Sequence, residues 1–308
     1  MCLTVPLRQL YNIFTEVDFL LAEKEVNGMQ IKAFAKLNLT LDITGKREDG
    51  YHLLDSLMLS VEPYDIVTLQ KADKITIECS DGEISNEDNI AVTAAKRFFE
   101  YSKINGGARI NIEKHIPKAA GMGGGSADAA AVICGLNQLY ETSYTNEHLC
   151  EIGLLVGADV PFCIVGGAAR VQGIGEKIEP LKTNDNLYFV IIKNGIKAST
   201  KDAYQTLDGY KGQLKFYTPK TVDAWCSCDF ERAIKSIGNA FINAVGLYDA
   251  DKILLEYLPK AISLSGSGPS VFAVFDDLSC AQECFEGVKK TGIECYLSKA
   301  MDKGIIIE

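Results

Sequence analysis

Between Gly121 and Gly125 the chain carries four glycines in five residues, followed by Ser126 and the small-residue run Ala127-Asp128-Ala129-Ala130-Ala131. Glycine loses more conformational freedom on folding than any other residue, so this density is kept only where a Cβ would obstruct something. An alternation at Ala108, Ile110 and Ile112 predicts a strand running into the stretch, and a helix from about Ala127 to Tyr140 is expected to leave it. Strand, bare turn and helix N-terminus together present free backbone N–H groups at a positive dipole end, which suits a phosphate chain. The segment lacks the Gly-Lys-Ser/Thr ending of a Walker A loop, and it is not the Gly-x-Gly-x-x-Gly dinucleotide fingerprint with its later acid. A flexible turn into a close-packed helix is the plainer alternative, but ordinary turns need only one or two glycines.

The chain has 308 residues and a formal net charge of −10. That length suits one large domain or two of ordinary size. The acidic balance argues against non-specific nucleic-acid binding and against a basic membrane face, so a phosphorylated ligand would be met by a few placed cations and backbone donors. Ten cysteines are scattered without the spacing of a disulfide framework, and Cys226-Ser227-Cys228 lacks a second pair or a histidine at metal-ligand spacing. Free thiols in a cytoplasmic setting are expected, and zinc is not. No apolar run reaches membrane-spanning length.

Residues 1–28 show no small-residue cleavage site after a clean apolar core and do not read as a secretory signal. Leu7, Leu10, Phe14, Val17 and Leu21 recur at helical spacing, and Met29 immediately precedes the first well-patterned strand. The fold is expected to begin there, with the extension dispensable.

From Ile31 to Ile43 the apolar residues alternate, predicting one strand with one buried face. Lys36, Asn38, Thr40 and Asp42 share the other face, either solvated or lining a cleft. After a turn over 45–50, Tyr51-His52 opens an apolar run to Val61, with further strands at Ile66–Leu69 and Ile75–Glu78. Ser85 is the expected cap of a helix reaching Tyr101. A helix from Asn146 ends at Gly157, and Asp159-Val160-Pro161 then has the pattern of an N-cap and first turn. That cap role competes with a chemical one for Asp159, although a cap at a loop edge also leaves a carboxylate facing a cleft.

Beyond a polar linker at Leu181–Asn186, Leu187–Ile192 reads as a strand buried on both faces. A short helix at Lys201–Leu207, an irregular connection over Gly209–Asp229 and a helix over Glu231–Val245 follow. Strands at Ala261–Leu264 and Val271–Phe275, a helix at Leu278–Lys289 and a closing strand at Ile293–Leu297 complete a split βαβ order, that of a ferredoxin-like sandwich.

Lys36 with Asn38 on an early strand, the Pro117–Ala131 loop, and Leu264-Ser265-Gly266-Ser267-Gly268 stand in an order that resembles the GHMP kinases. A finer match is carried by Ala35-Lys36-Leu37-Asn38-Leu39, the Thr44–His52 segment ending in Asp49-Gly50-Tyr51-His52, and Leu155-Val156-Gly157-Ala158-Asp159-Val160-Pro161. It points to the branch acting on a CDP-linked methylerythritol. The likeness runs from about Met29 to beyond Phe275. It implies an α+β, two-domain GHMP kinase fold. The N-terminal ATP-binding domain (29–181) would be ribosomal protein S5 domain 2-like, the C-terminal domain (182–308) ferredoxin-like, with the site between them. ATP, with Mg2+, would phosphorylate the 2-hydroxyl of CDP-methylerythritol in the non-mevalonate isoprenoid pathway. The resemblance further implies a monomer or homodimer that binds a small molecule, with no nucleic-acid or membrane partner.

By that resemblance Asp159 is the general base and Lys36 its partner. Pro117, Lys118, Ala119, Ala120, Gly121, Met122, Gly123, Gly124, Gly125, Ser126 and Ala127 would hold ATP, with Asn89 and Lys114 near the adenine. Ser126 is the candidate for a phosphate or Mg2+ contact, while Asp128 reads as a first-turn helix acid. Asn38 would hydrogen-bond the methylerythritol hydroxyls, Thr200 would also contact the substrate, and Gly266, Ser267 and Gly268 would close over its phosphate region. Tyr51 and Tyr204 would sandwich the cytosine, with His52 on its edge. The physics agrees: phosphoryl transfer is mostly positioning and charge neutralisation, and a carboxylate can take an alcohol's proton during attack. Another GHMP small-molecule kinase, for mevalonate or homoserine, fits the Tyr51-His52 pair less well. A non-catalytic sensor would have no need of a base.

Overall fold

The computed structural model describes residues 28–82, 88–193, 200–247 and 249–308. The expected amphipathic helix in the extension and the expected Ser85 cap lie outside these residues.

The N-terminal half is a sheet organised on one strand. In chain order its strands are β1 (Met29–Asn38), β2 (Thr40–Lys46), β3 (His52–Ala72), β4 (Thr76–Cys79), β5 (Gly107–Glu113), β6 (Ala168–Gly173) and β7 (Lys177–Leu181). β3 pairs antiparallel with β1, β2, β5 and β6. The sequence suggests two separate runs here, ending at Val61 and starting at Ile66, because Pro63 lies between them. They join as one strand through a bulge: Ala35 pairs with Val61 and Phe34 with Tyr64, so Glu62 and Pro63 stand outside the ladder. A proline has no N–H to give a neighbouring strand, and a bulge removes that demand.

The opposite correction applies to the strand expected over Ile31–Ile43. It bends at Leu39 and divides into β1 and β2, and both of its faces are covered. Lys36, Asn38, Thr40 and Asp42 are all buried, so the solvated-face alternative fails.

Among the described residues four helices cover this sheet: α1 (Ile90–Ser102), α2 (Gly124–Leu139), α3 (Asn146–Leu154) and α4 (Val160–Val165). α1 starts at Ile90, where Asn89 Oδ1 accepts from Ala91 N at 2.8 Å; asparagine caps as well as serine and stands directly before the apolar run. α2 begins at Gly124, earlier than Ala127, so two loop glycines form its first turn. Its alanines and Gly135 let it lie close on β1 and β3. A Cβ at Gly135 would come within 2.3 Å of Ile31 Cδ1 and 2.5 Å of Leu69 Cδ1.

In the C-terminal half, β8 (Tyr188–Lys193), β10 (Ala261–Leu264), β11 (Ser270–Phe275) and β12 (Cys295–Met301) are antiparallel in the order β10-β11-β8-β12. This is the strand order of a ferredoxin-like sandwich, as the split pattern predicts. β8 is buried on both faces, with Phe189 and Ile191 in the larger apolar core and Val190 and Ile192 in a second one. β12 then pairs with β3 (Ala300 with Val61), carrying the sheet from one half into the other.

The expected irregular connection contains α6 (Thr218–Cys226), which follows α5 (Thr200–Asp208). Asp42, distant in sequence, supplies its cap: the carboxylate accepts from Tyr217 N at 2.9 Å and Thr218 N at 2.8 Å. The single helix expected over Glu231–Val245 is instead α7 (Phe230–Lys235), the short strand β9 (Gly238–Asn239) and α8 (Ile242–Val245), broken at Gly238. α9 (Ala250–Leu255) precedes β10, and α10 (Leu278–Lys290) precedes β12. Ile293–Leu297 is not the closing strand. β13 (Ile305–Ile307) returns to the N-terminal sheet and pairs with β1, Ile31 against Ile307.

Candidate active site

A cavity of about 990 Å³ opens between the two halves. The glycine loop forms one wall, the turn after β10 and the face of α5 form another, and the end of the β2–β3 hairpin closes the far side. The predicted site residues meet around it, except two. Ala127 is buried beneath the loop, and Gly268 stands behind it.

The loop is bare because its neighbours leave no room. Gly121 and Gly123 have φ of +74° and +73°, a region L side chains avoid. A Cβ on Gly121 would lie 2.5 Å from the Ser265 carbonyl oxygen, and one on Gly123 would lie 2.9 Å from Lys36 Cγ. Ser265 Oγ donates to Gly121 O at 3.0 Å, so the late turn Ser265–Gly268 is the support against which the loop folds. Asn239 Nδ2 holds that turn from behind by donating to Leu264 O and Gly266 O, at 2.7 and 2.9 Å. Gly123 occupies the N-cap position of α2 and no side chain caps the helix. The first-turn N–H groups of Gly124, Gly125 and Ser126 are therefore available to an anion.

Lys36 and Asp159 come together at the cavity's centre, Nζ to Oδ2 3.4 Å. The lysine side chain is 5 % exposed and the aspartate 41 %. Lys36 Nζ also donates to Asn38 Oδ1 at 2.7 Å, and Asn38 Nδ2 donates to Ser56 Oγ at 2.9 Å, which fixes both side chains of β1. Asp159 does sit at the N-cap position of α4, but its side chain makes no capping hydrogen bond. The purely structural role the sequence permits is thus not the one its carboxylate takes.

Beneath the loop, Lys114 Nζ is held between two carboxylates: Asp65, and Asp128 at 2.6 Å. Asp65 Oδ1 also accepts from His115 N and Ile116 N at 2.6 and 2.8 Å. Burial pushes the Asp128 carboxyl up against the opposing pull of Lys114, and its Oδ1 has no hydrogen-bond partner. Lys114 and Asp128 both line the cavity. Lys118 is paired with Asp81, and Asn89 spends its side-chain oxygen on α1 while also lining the cavity.

At the far end the expected tyrosine sandwich is not preassembled. The ring stacked on Tyr204 is His52, with centroids 4.6 Å apart and planes at 25°, while Phe241 meets Tyr204 edge-on. Tyr51 stands 64 % exposed at the rim. Burial raises the Tyr204 phenol to about 12, with the Asp159 charge adding, so it stays protonated at neutral pH. Thr200 joins the late turn, its Oγ1 3.5 Å from Ser267 Oγ.

Sequence reasoning overlooked Lys46, Asp208 and Phe241, which also line the cavity. Lys46 lies inside a quoted motif, so that signal was available. Asp208 and Phe241 carry no local pattern.

The GHMP kinases N terminal domain family matches residues 89–167. A 4-diphosphocytidyl-2-C-methyl-D-erythritol kinase from Clostridium botulinum (strain Hall) is 40% identical over 281 residues, covering 89% of this chain and 100% of the relative. One of the same name from Clostridium perfringens is 41% identical over 269 residues, covering 85% and 93%. Among solved structures, a 4-(cytidine 5'-diphospho)-2C-methyl-D-erythritol kinase superposes with a TM-score of 0.73 at 26% identity, covering 88% of this chain and 99% of that one. A homoserine kinase from Cytophaga hutchinsonii gives 0.73 at 23% identity over 91% and 97%, a likeness of fold.

Proposed function

The chain belongs to the 4-diphosphocytidyl-2-C-methyl-D-erythritol kinases of the GHMP superfamily, and we propose that Asp159 and Lys36 perform the transfer while the glycine loop holds the nucleotide. The enzyme moves the γ-phosphoryl group of ATP to the 2-hydroxyl of 4-diphosphocytidyl-2-C-methyl-D-erythritol, giving the 2-phosphate and ADP for isoprenoid synthesis by the non-mevalonate route.

The observation that carries the assignment is the uncommitted state of Asp159: half-exposed in the cavity, uncapped, and 3.4 Å from a buried ammonium. A carboxylate so placed accepts the proton of the 2-hydroxyl as its oxygen attacks phosphorus, a contribution of about 10²–10⁴ in rate. Lys36 stabilises negative charge on the transferring group, which is the main demand of a loose phosphoryl-transfer transition state. Asn38, held by Ser56, keeps the lysine from swinging away and presents polar atoms to the methylerythritol. The first-turn N–H groups of α2 receive phosphate oxygens.

Among the described residues no group of three or more His, Cys, Asp or Glu side chains converges on a metal position. A Mg2+ ion entering with ATP would take Ser126 as its protein contact. When bound, the ion neutralises charge on the β- and γ-phosphates. The Tyr51, His52 and Tyr204 end takes the cytidine. We read residues 29–181 as the ATP-binding domain and 182–308 as its partner, with 1–28 dispensable. The described cysteines are free thiols, which supports a cytoplasmic enzyme.

The test offers purified protein and Mg-ATP the CDP-linked substrate, mevalonate and homoserine in turn, with ADP release as the readout. Turnover is expected on the first alone. Tyr51→Ala should raise KM for that substrate roughly 5- to 100-fold, given about 1–3 kcal/mol for base stacking, and leave KM for ATP unchanged. A parallel loss of ATP affinity would move Tyr51 out of the cytidine site.

A further inference from the structure

One carboxylate at the cytidine end has no role in the scheme above. Asp208, the last residue of α5, accepts from Lys46 Nζ at 2.6 Å with Oδ2 and contacts His52 Nε2 at 2.7 Å with Oδ1. Lys46 and His52 face each other across the β2–β3 ladder. A single side chain from the C-terminal half therefore grips both strands where the turn of an N-terminal hairpin joins them. A helix C-terminus is the unfavourable end for an anion, so the sequence keeps Asp208 there against the helix dipole. The Lys46 ammonium first, and then the His52 bond, hold the Asp208 carboxyl below the usual range.

The chemistry follows from what each atom can do. An ionised carboxylate only accepts, so the hydrogen of the short contact must sit on Nε2. In a neutral imidazole the other nitrogen is then a bare acceptor. The His52 side chain is only 11 % exposed and is stacked on Tyr204, so its ring plane is fixed. Among the described residues no hydrogen bond engages Nδ1. Cytosine carries an amino group, a donor, at the position where uracil carries a carbonyl oxygen, an acceptor. An acceptor on His52 pairs with the first and opposes the second.

We propose that Asp208 is a positioning residue that selects cytosine over uracil by holding His52 in its Nε2–H tautomer. The inference rests on reading the Tyr51–His52–Tyr204 end as the base site. Asp208 touches neither the base nor the reacting atoms; it acts through the ring it orients. An amide in its place could donate to Nε2 and so move the imidazole hydrogen to Nδ1, reversing the preference at that atom.

The full-length enzyme allows two independent readouts. Nitrogen-15 spectra of histidine-labelled protein report each tautomer directly, and with three histidines in the chain, His52→Gln assigns the signal. Competition by CDP and by UDP against the substrate reports the base preference. In the wild type His52 should be Nε2-protonated and CDP should bind more tightly than UDP. Asp208→Asn should shift His52 toward the Nδ1–H form and shrink the CDP/UDP ratio roughly 5- to 100-fold, the range for one buried polar mismatch. KM for the substrate should rise while kcat and KM for ATP change far less. Asp208→Glu should recover most of the ratio. Lys46→Met breaks the ion pair without touching the histidine bond, and the ratio should persist.

An unchanged tautomer and ratio in Asp208→Asn overturns the proposal, as does a Lys46→Met variant that loses the ratio equally, since the effect would then be mechanical. A wild type indifferent to CDP and UDP overturns the base-site reading itself, and the inference with it.

Discussion

Two lysine–aspartate groups lie on opposite sides of the glycine loop, built from the same residue types and suited to different work. Lys36 meets Asp159 at 3.4 Å, with the carboxylate 41 % exposed and free of capping duty. Lys114 is sealed between Asp65 and Asp128, whose side chains are 0 and 2 % exposed. Consecutive glycines separate them: a Cβ on Gly123 would stand 2.9 Å from Lys36 Cγ, and one on Gly124 would stand 3.4 Å from Lys114 Nζ. The difference teaches that residue identity does not make a catalytic pair. Spare hydrogen-bonding capacity facing a cavity does. Lys114 spends its ammonium on two enclosed acids and has less left to offer a substrate, and breaking that group exposes a desolvation penalty.

The comparison can be broken first at Asp159. Asp159→Asn should lower kcat by roughly 10²–10⁴-fold with an unchanged thermal midpoint and KM for ATP. Near-normal turnover would reduce Asp159 to a helix-start residue. Lys114→Met should instead act on stability, costing about 3–5 kcal/mol of unfolding free energy because the buried acids Asp65 and Asp128 lose the cation they share. Urea denaturation measures this, and a loss below about 1 kcal/mol would mean that the buried trio is not the structural partner of the comparison.

A finer contrast lies in the glycines between them. Gly123→Ala forces a Cβ into a positive-φ position and into Lys36, so it should cost about 1–2 kcal/mol of stability and disturb turnover. Gly124→Ala has no positive φ to strain and should cost less. Equal costs would show that φ and the Lys36 contact do not distinguish the two positions.

The remaining contrast concerns pH. Burial lifts the Asp128 carboxyl from 3.8 to about 8, so between those values the folded protein holds a proton that the unfolded chain has released. Stability then falls as pH rises through that interval, by at most about 1.4 kcal/mol per pH unit. Urea midpoints from pH 5 to 8.5 should decline in the wild type and flatten in Asp128→Asn, which cannot titrate. Parallel curves would show that Asp128 does not carry the slope.

Much of the fold is legible from neighbouring residues alone. Apolar patterning located most strands, including β8, whose unbroken apolar run matches burial on both faces. The errors share a cause. Pro63 hid the continuity of β3 because a bulge exists only in relation to β1. The start of α6 depends on a cap from Asp42, far away along the chain. At the site, motif spacing located the loop, Lys36, Asp159 and His52. Asp208 has no signature, because an acid at a helix end is ordinary until its partners are known.

What the sequence by itself determined is therefore local: the bare loop and the helix behind it, the polar residues on an early strand, and the family those motifs mark. Such features follow from backbone sterics and short-range periodicity, which adjacent residues specify. Only the tertiary structure decided that Asp159 leaves its helix uncapped to face Lys36, that Lys114 is enclosed by two acids, and that Asp208 holds His52. Each depends on which elements pack together and which water they exclude, and burial sets the strength and availability of a charge.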